Sequence, residues 1–468
     1  MKKLIKGFSL VLVVFLLLTS VTACKKSDNT SSEIESGLTS ENIETNVSST
    51  DENVGEGNDS QTDNSSKVNT PQKVDPALTG VTVDPSKYRG TTIKYATWKD
   101  PSLNEDGPVI KAFTKKYGIN VEIVNVPQKN YVEKITALIA SGKAPDVFIE
   151  TAEFPAILSI AQPLDATKLD LTNPIWDQTT IKMNSINGKS YGLHVVGSLW
   201  AEASCTVFNK KLMEDNNITT PAEYYAAGKW NFDTLYKVLQ DCKAAGFKGG
   251  FLNPDVLAAS FGADWVTMSN GVATNNSGNN MLATVYQFIA KCNKEGLLVK
   301  ARDYFNDGNV GISIDDAFSL KKTGHYASMN QNHIGFTYLP DYNKSVKAQP
   351  TATSRSYGIC KKAKNPEAAG IFLRYYLDSN NYDTRKAFFS TEASTFFFDI
   401  ITAASTKKQV WMLNGVGTIC GSETLRGELT SIAYEDPSQV GALIAAKKNL
   451  LDGYVSKVNA HIKSQTGN

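Results

Sequence analysis

The sequence lacks the features that identify several large functional classes. Its 48 basic and 47 acidic residues almost cancel, so no basic domain of the kind that binds nucleic acid is expected. It contains no CxxC pair, which argues against a zinc ribbon or a thioredoxin-like redox site. GxSxG, HExxH, P-loop and GxGxxG motifs are also missing. The histidines show no metal-ligand spacing, so we predict neither a metal nor a cofactor; they are His194, His325, His333 and His461.

Cysteine is scarce, and its six positions are scattered along the chain. Apart from Cys24 near the N-terminus, the cysteines form an odd and widely spaced set, which is not typical of a disulfide framework. We interpret these thiols as small buried hydrophobes. One pair could still be bridged, and the spacing does not say which. The set is Cys205, Cys242, Cys292, Cys360 and Cys420.

Long hydrophobic runs are absent except at the N-terminus. Phe8–Leu18 follows a lysine-rich start, but it is too short to span a bilayer, which takes roughly 20 apolar residues. This layout is typical of an export signal. Val21–Cys24 resembles the lipobox of bacterial lipoproteins, which implies that residues 1–23 are a signal peptide and that Cys24 carries a lipid. Two or more acyl chains would hold the protein on the outer face of the cytoplasmic membrane. The alternative is an ordinary secretory signal.

Aromatic residues are rare over residues 24–88, where Ser, Thr, Asn, Asp and Glu dominate. Such a segment buries too little apolar area to offset the loss of chain entropy. We therefore predict a disordered polar tether that holds the folded body away from the membrane.

The folded body begins with alternating strand and helix patterns. We predict strands at Thr92–Ala96, Val121–Val126 and Val147–Ile149, and helices at Pro108–Tyr117 and Tyr131–Ala140. Strands and helices that alternate at this spacing predict an α/β fold with a mainly parallel sheet.

Two side chains with binding chemistry directly follow these strands. Trp98 comes after the first strand and Glu150 after the third. Because ligands bind beyond the carboxyl ends of the strands in open α/β sheets, we expect an aromatic ring and a carboxylate on the rim of one crevice. The structural alternatives are a Trp98 ring that packs on its own helix and a Glu150 that caps a helix.

Further elements are predicted along the rest of the chain. Trp176 and Trp230 are assigned to structure. The predicted strands are Tyr191–Val196, Ser204–Phe208 and Ile334–Pro340, and the predicted helices are Thr234–Ala245, Met281–Lys294, Pro366–Leu377 and a long segment over Ser438–Ile462.

Five motifs in this order resemble those of the family 1 extracellular solute-binding proteins of bacterial ABC importers. They are Ala137–Val147 with its Pro-Asp, Gly188–Leu193 followed by Phe208–Lys210, Pro221 with Trp230–Asp233, Ile334–Pro340, and Asn365–Ala369 with Phe372–Leu373. The resemblance covers nearly all of the folded body. Two positions depart from the family pattern: His194 replaces its usual proline, and Asn309–Ser313 replaces its basic-Ala-Met stretch.

The resemblance implies a two-lobed periplasmic-binding-protein-like fold of type II, in which each lobe is a mainly parallel sheet flanked by helices. It places residues 89–198 and 358–411 in lobe 1, and residues 199–357 and 412–468 in lobe 2. The chain would cross between the lobes near residues 197–203, 354–358 and 411–418, and these crossings would form the hinge.

The resemblance also implies that the ligand lies between the lobes, bound by aromatic rings and paired polar groups. Trp265 lies in a glycine-rich loop where the family often places a sugar-stacking ring. Trp200 lies at the first crossing, with hinge packing as its alternative. Four further candidates near the interlobe surface are Asp316, Arg355, Tyr357 and Trp411.

The function that the resemblance implies is capture of a solute, above all an oligosaccharide, and its delivery to the permease subunits of an ABC transporter. Family members are commonly monomers. One alternative is a tethered secreted enzyme such as a glycoside hydrolase, but no motif singles out the pair of carboxylates that such an enzyme needs. Another is a receptor that passes its ligand to a sensor kinase, and the ligand itself could be a peptide or a polyol.

Overall fold

The computed structural model describes residues 75–98, 106–149, 153–196, 201–322, 324–354, 356–378, 388–404, 408–409 and 412–467. The chain forms two units, Met1–Thr70 and Pro71–Asn468. The first unit, which includes Cys24, lies outside the described residues.

Strands and helices alternate through most of the second unit, as an α/β fold requires. The strands are β1 (Thr92–Thr97), β2 (Asn120–Asn125), β3 (Val147–Ile149), β4 (Ala161–Gln162), β5 (Ser185–Ile186), β6 (Lys189–Ser190), β7 (Ala201–Asn209), β8 (Lys248–Leu252), β9 (Val266–Ser269), β10 (Val272–Asn275), β11 (Val310–Asp316), β12 (Ile334–Thr337), β13 (Thr351–Ser354), β14 (Tyr357–Cys360) and β15 (Lys408–Gln409). The α-helices are α1 (Asp106–Tyr117), α2 (Tyr131–Ala140), α3 (Gln178–Met183), α4 (Lys210–Asp215), α5 (Pro221–Ala226), α6 (Phe232–Ala244), α7 (Pro254–Ser260), α8 (Asn280–Lys294), α9 (Pro366–Tyr376), α10 (Thr391–Ala404), α11 (Met412–Cys420), α12 (Leu425–Ser431), α13 (Val440–Ala446) and α14 (Lys448–Thr466).

Short 3₁₀ helices connect several of these elements. They are Pro76–Leu78, Pro85–Tyr88, Ala156–Ser159, Leu164–Thr167, Arg302–Asp307, Ala317–Leu320, Gln331–His333 and Ile432–Tyr434.

Two larger sheets organise the described residues, beside two-stranded pairs of β9 with β10 and of β5 with β6. The first has the order β2-β1-β3-β14-β4, and the second has the order β15-β13-β7-β11-β8 with β12 also paired to β7. In the first sheet β1 runs parallel to β2 and β3, while β14 is antiparallel to β3. In the second sheet β8 and β11 are parallel, and β7 is antiparallel to β11, β12 and β13. Each sheet is therefore mixed: one strand in each, β14 in the first and β7 in the second, runs against the others. Two such sheets fit the expectation of two lobes.

The sequence patterns locate most elements correctly. The bounds of α2 and β3 agree with the predicted bounds residue for residue, since α2 buries Tyr131, Ile135 and Ile139 along one helical face and all three residues of β3 are buried. Helix α6 begins after Asn231, whose side chain accepts hydrogen bonds from the N–H groups of Asp233 and Thr234. The N-cap chemistry of Asn231 thus sets where α6 begins.

The strand predicted at Tyr191–Val196 is wrong. Only isolated bridges occur there, from Leu193 to Tyr357 and from Val195 to Trp176. Alternate residues pair with two different partners, so a continuous ladder does not form. The long C-terminal helix is also interrupted at Lys447, which separates α13 from α14.

The tether predicted to reach residue 88 is too long at its C-terminal end. Residues 75–88 form two 3₁₀ turns in which Asp75 and Asp84 act as N-caps, and Leu78 is buried. The carbonyl groups of Pro76 and Thr79 accept hydrogen bonds from Arg374 of α9. Residues 75–88 are ordered by contacts with residues far away in the sequence, so the composition of this segment alone does not predict that it is ordered.

Part of the range predicted for lobe 1 packs against the second sheet. Phe397 of α10 belongs to a buried cluster with Cys205 and Val207 of β7, and β15 pairs with β13. The exact lobe boundaries stay a prediction. Trp176 and Trp230 are both buried, and their indole N–H groups donate to the backbone carbonyls of Asp170 and Tyr338 at 2.9 and 3.0 Å, as expected of structural residues.

The five cysteines beyond Cys24 are all free thiols. Cys205, Cys242, Cys292 and Cys360 are buried, and Cys420 is half-buried. This agrees with their interpretation as small hydrophobes. Among the described residues, no helix combines the length and apolar character that crossing a bilayer requires.

Candidate functional site

One edge of the second sheet gathers polar side chains. Strands β8 and β11 are parallel and end there, with Asn253 directly after β8 and Asp315 and Asp316 as the last residues of β11. Strand β7 begins at the same edge, because Ser204 pairs with Asp316. Ligand sites of α/β sheets occur beyond such strand ends.

Asn253 connects the two strand ends with the helix that follows. Its side chain accepts a hydrogen bond from the N–H of Asp255 at 3.2 Å, which caps α7. Its amide donates to Asp315 at 3.4 Å. One residue therefore fixes both the start of α7 and the carboxylate at the end of β11.

Arg302 bridges the two carboxylates of β11. Its guanidinium lies 2.8 Å from Asp315 and 3.2 Å from Asp316. Burial acts to lower the pKa of Arg302, but the two carboxylates more than offset this and raise it. Asp315 and Asp316 are buried, whereas the Arg302 side chain is 30% exposed, so it is the member of this group that solvent reaches.

A second carboxylate–guanidinium pair lies next to the first. Asp255, the second residue of α7, accepts a hydrogen bond from Nε of Arg426 at 2.6 Å. Asp255 is buried and Arg426 is 25% exposed at its side chain. The pair joins α7 to α12, so the polar edge is held by elements far apart in sequence.

At the first sheet, Trp98 directly follows β1 and is half-buried. Its ring meets that of Tyr131 edge to face, with centroids 5.6 Å apart and planes at 88°. The Tyr131 hydroxyl donates to the carbonyl of Ala96 at 2.8 Å and accepts from the N–H of Ile149 at 3.3 Å. Tyr131 thus joins the carboxyl ends of β1 and β3 and packs against the half-buried indole of Trp98.

Tyr357 begins β14 at the same edge, opposite Ile149. It is buried and packs against the rings of Tyr95, His194 and Tyr376. In this conformation its ring is part of the core beneath this edge of the sheet.

Trp265, predicted as a sugar-stacking ring, is 2% exposed. Its indole N–H donates to the hydroxyl of Tyr286 at 2.7 Å, and the two rings meet at 80°. The ring is covered in this conformation, and its contact with a ligand stays a prediction. The predicted contacts of Glu150, Trp200, Arg355 and Trp411 lie outside the described residues.

The edge of the first sheet that carries Trp98 and the polar edge of the second sheet are neighbours, because the chain segment that connects them is short. Strand β13 ends at Ser354 in the second sheet, and β14 begins at Tyr357 in the first. Three residue steps span at most about 11 Å. Ser354 pairs with Ala201 at the start of β7, so this crossing brings the strand ends of both sheets close to each other.

A comparison with protein families matches residues 92–381 to the model of the bacterial extracellular solute-binding proteins. The chain belongs to this family. Its family function is the binding of a solute outside the cell.

Curated relatives of this solute-binding protein are distant. Binding proteins of Brucella abortus and Brucella suis are each 22% identical to it over 312 residues, which are 62% of this chain and 72% of the relative.

Solved structures of low identity share its fold over most of both chains. The galacto-N-biose/lacto-N-biose I-binding protein of Bifidobacterium longum has a TM-score of 0.60 at 16% identity and covers 79% of this chain and 97% of its own. The cyclic α-maltosyl-1,6-maltose-binding protein of Arthrobacter globiformis has a TM-score of 0.57 at 14% identity, covering 80% and 99%. A solute-binding protein of Staphylococcus aureus solved with maltose has a TM-score of 0.53 at 15% identity, covering 80% and 98%. These likenesses confirm the predicted two-lobed fold.

Sequence reasoning missed five polar residues of the second edge. Asn253 and Asp255 follow the strand Lys248–Leu252, and Asp315 stands beside Asp316 at the end of an apolar run. Both positions obey the same strand-end rule that identified Trp98, and could have been found with it. Arg302 and Arg426 carry no such local signal, since only the tertiary fold brings them to the carboxylates.

His194 stands where the family usually has proline, and its burial makes the unfolding free energy depend on pH. Its side chain is 1% exposed, and burial lowers its pKa to about 3. The unfolded chain takes up this proton near pH 6.5. Stability that depends on neutral His194 is therefore present above about pH 6.5 and is lost as the pH falls toward 3, at up to about 1.4 kcal/mol per unit.

We expect the unfolding free energy of the wild type to fall by about 2 kcal/mol more than that of His194→Gln between about pH 6.5 and 5. Urea unfolding at the two pH values measures the difference. His333→Gln, which replaces a histidine that is not buried, should keep the wild-type dependence. Equal pH slopes for the wild type and His194→Gln would contradict the assignment.

Proposed function

We propose that this protein captures a carbohydrate, an oligosaccharide in particular, in the cleft between the two sheet edges and delivers it to the permease of an ABC transporter. The observation that carries the proposal is the short Ser354–Tyr357 crossing, which joins an edge bearing Trp98 to an edge bearing two carboxylate–guanidinium pairs. Aromatic rings and paired polar groups are what a sugar needs from a site.

The chemistry divides between the two edges. The half-buried Trp98 ring offers an apolar face to the C–H side of a sugar ring, and its support by Tyr131 holds it in place. The exposed parts of Arg302 and Arg426 offer guanidinium N–H donors to sugar hydroxyls. Their carboxylate partners keep both arginines oriented before the ligand arrives, which lowers the entropy cost of binding.

The likeness to solved sugar-binding proteins supports the ligand class. The three structures named above are described as binding lacto-N-biose, a cyclic maltosyl-maltose and maltose. We propose that ten residues contact the ligand. Two of them, Arg302 and Arg426, come from the structure. The other eight are those predicted from the sequence: Trp98, Glu150, Trp200, Trp265, Asp316, Arg355, Tyr357 and Trp411.

Binding would favour a closed arrangement of the lobes. A ligand that touches both edges interacts with both only when they approach, so it shifts the population toward that state. We propose no catalytic role. We propose that the receptor is a monomer and that a lipid on Cys24 keeps it at the outer face of the cytoplasmic membrane, close to its permease.

A thermal-shift screen of the purified protein against mono- and oligosaccharides tests the proposal. A saccharide that binds only the folded state raises the unfolding free energy by RT ln(1 + [L]/Kd), about 2.7 kcal/mol at a hundredfold excess over Kd. We expect a clear shift with one glycan series and no products when that glycan is recovered and analysed. Absence of a shift with every sugar would reject carbohydrate as the ligand, and release of shorter glycans would favour an enzyme.

A further inference from the structure

A cavity of about 700 Å³ opens beside the second sheet. Strand β12 pairs with β7 from Thr206 onward, and β13 pairs with β7 up to Ala203. Ser204 lies between these pairings and lines the cavity. The volume falls within the range of small-molecule sites, about 300–1,000 Å³.

The wall of the cavity is held by backbone hydrogen bonds. The segment over residues 338–350, which links β12 to β13, lines much of it. Asp341 exchanges hydrogen bonds with the helix start of α6, donating to Trp230 at 3.1 Å and accepting from Phe232 at 2.9 Å. Gln349 donates to the carbonyl of Ser260 at 2.8 Å. The cavity is therefore preformed, as small-molecule sites usually are.

Aromatic rings form one side of this cavity. Tyr225 and Tyr338 both line it and stack on each other, with centroids 4.9 Å apart and planes at 30°. Tyr225 is 48% exposed although it is a large ring. Trp230, also in the lining, holds Tyr338 through its indole N–H. An exposed ring supported by a second ring is the kind of platform on which a sugar stacks.

The polar groups of the lining favour a neutral ligand. Asp341 and Lys347 lie 2.7 Å apart and balance each other's charge. Gln349 and Ser204 add an amide and a hydroxyl, which donate and accept. A site with balanced charge gives no net attraction to a phosphate or another ionic group, whereas the hydroxyls of a sugar can pair with all four side chains.

We propose that this cavity is a second carbohydrate site, which holds a neutral sugar unit on Tyr225 independently of the cleft. Its lining includes Ser204, the β7 partner of Asp316, but none of Trp98, Asp255, Arg302 and Asp316. The inference rests on the proposed function, because it takes carbohydrate as the ligand class. A receptor with such a site holds a longer glycan, or a second one, at its surface.

Fluorine NMR of the full-length protein labelled with 3-fluorotyrosine tests the site. Tyr225→Phe identifies the Tyr225 resonance, and Tyr338→Phe identifies that of its neighbour. We expect maltoheptaose or lacto-N-biose to shift both resonances in a saturable manner, in the wild type and in Trp98→Ala. In Tyr225→Ala the affinity reported by the Tyr338 resonance should fall about tenfold or more, since the stacking ring is lost.

Tyr304→Ala is the matched control, because Tyr304 is an equally exposed tyrosine, at 51%, that does not line the cavity. It should leave the titration unchanged. Sugar binding that depends on Trp98 and leaves the Tyr225 and Tyr338 resonances unmoved would overturn the second site and keep the proposed function. A shift with ATP but with neither sugar would overturn the neutral ligand class. Absence of sugar binding in every titration would overturn both proposals.

Discussion

Arg374→Met should lower the unfolding free energy by about 3–5 kcal/mol, the cost typical of removing one partner from a buried ion pair. Arg374 is 2% exposed, and its guanidinium lies 2.8 Å from Asp378, four residues further along the chain and just after α9 ends. It also donates to the carbonyls of Thr79 at 2.7 Å and Pro76 at 3.4 Å. The substitution removes the buried ion pair with Asp378 and the hydrogen bonds that hold the segment preceding the first sheet.

Denaturant unfolding measures the loss, and a double variant separates its causes. In Arg374→Met combined with Asp378→Leu, no buried charge is left behind, so the loss should be clearly smaller than in the single variant. Equal losses in both variants would show that the contacts to Pro76 and Thr79, rather than the ion pair, carry the stability. Saccharide affinity should be unchanged in the folded fraction, because Arg374 is not at either polar edge.

The local parts of the fold could be predicted from the sequence, and the parts that depend on distant partners could not. Helix α2 and strand β3 agree with their predicted bounds because their apolar spacing is contained within each element. Strand β15 has two residues and exists only through pairing with Thr351 and Ala352. No periodicity in so short a segment could reveal it. Helix α10 packs against β7 of the second sheet through Phe397, a contact that its own sequence pattern does not contain.

The candidate site shows the same division. The strand-end rule correctly places Trp98 at an edge, because it needs only the end of β1. The family resemblance predicts that Trp265 stacks on a sugar, and in this conformation the ring is buried against Tyr286 of α8. Whether an aromatic side chain turns inward or outward is decided by what packs beside it, and that information lies in another element.

The arginines of the second edge illustrate a further limit. Arg302 reaches Asp315 from a 3₁₀ turn that precedes β11, and Arg426 reaches Asp255 from α12, more than 150 residues further along the chain. Both carboxylates are identifiable from their strand ends, but their cations are not. A sequence can therefore identify one half of such a pair, and only the fold supplies the other half.

Trp98→Ala should weaken saccharide binding by about tenfold to a hundredfold, equivalent to about 1.4–2.8 kcal/mol. A stacked aromatic ring buries apolar area worth a few kcal/mol at most, and the half-buried Trp98 has only part of its surface left to offer. Isothermal titration calorimetry with the saccharide that gives the largest thermal shift measures the change in Kd.

Trp98→Phe keeps a flat apolar ring on Tyr131 and should lose less affinity than Trp98→Ala, which makes it the matched control. Tyr131→Phe keeps the supporting ring but removes the hydroxyl that joins Ala96 to Ile149, so it should weaken binding through looser positioning of Trp98. If Trp98→Ala lowers thermal stability and leaves the Kd unchanged, the ring serves packing alone. If affinity instead falls moderately in Trp98→Phe and further in Trp98→Ala, while stability stays nearly constant, the sugar stacks on the indole at the end of β1. Only a contact with the ligand would make affinity depend on the size of the exposed ring.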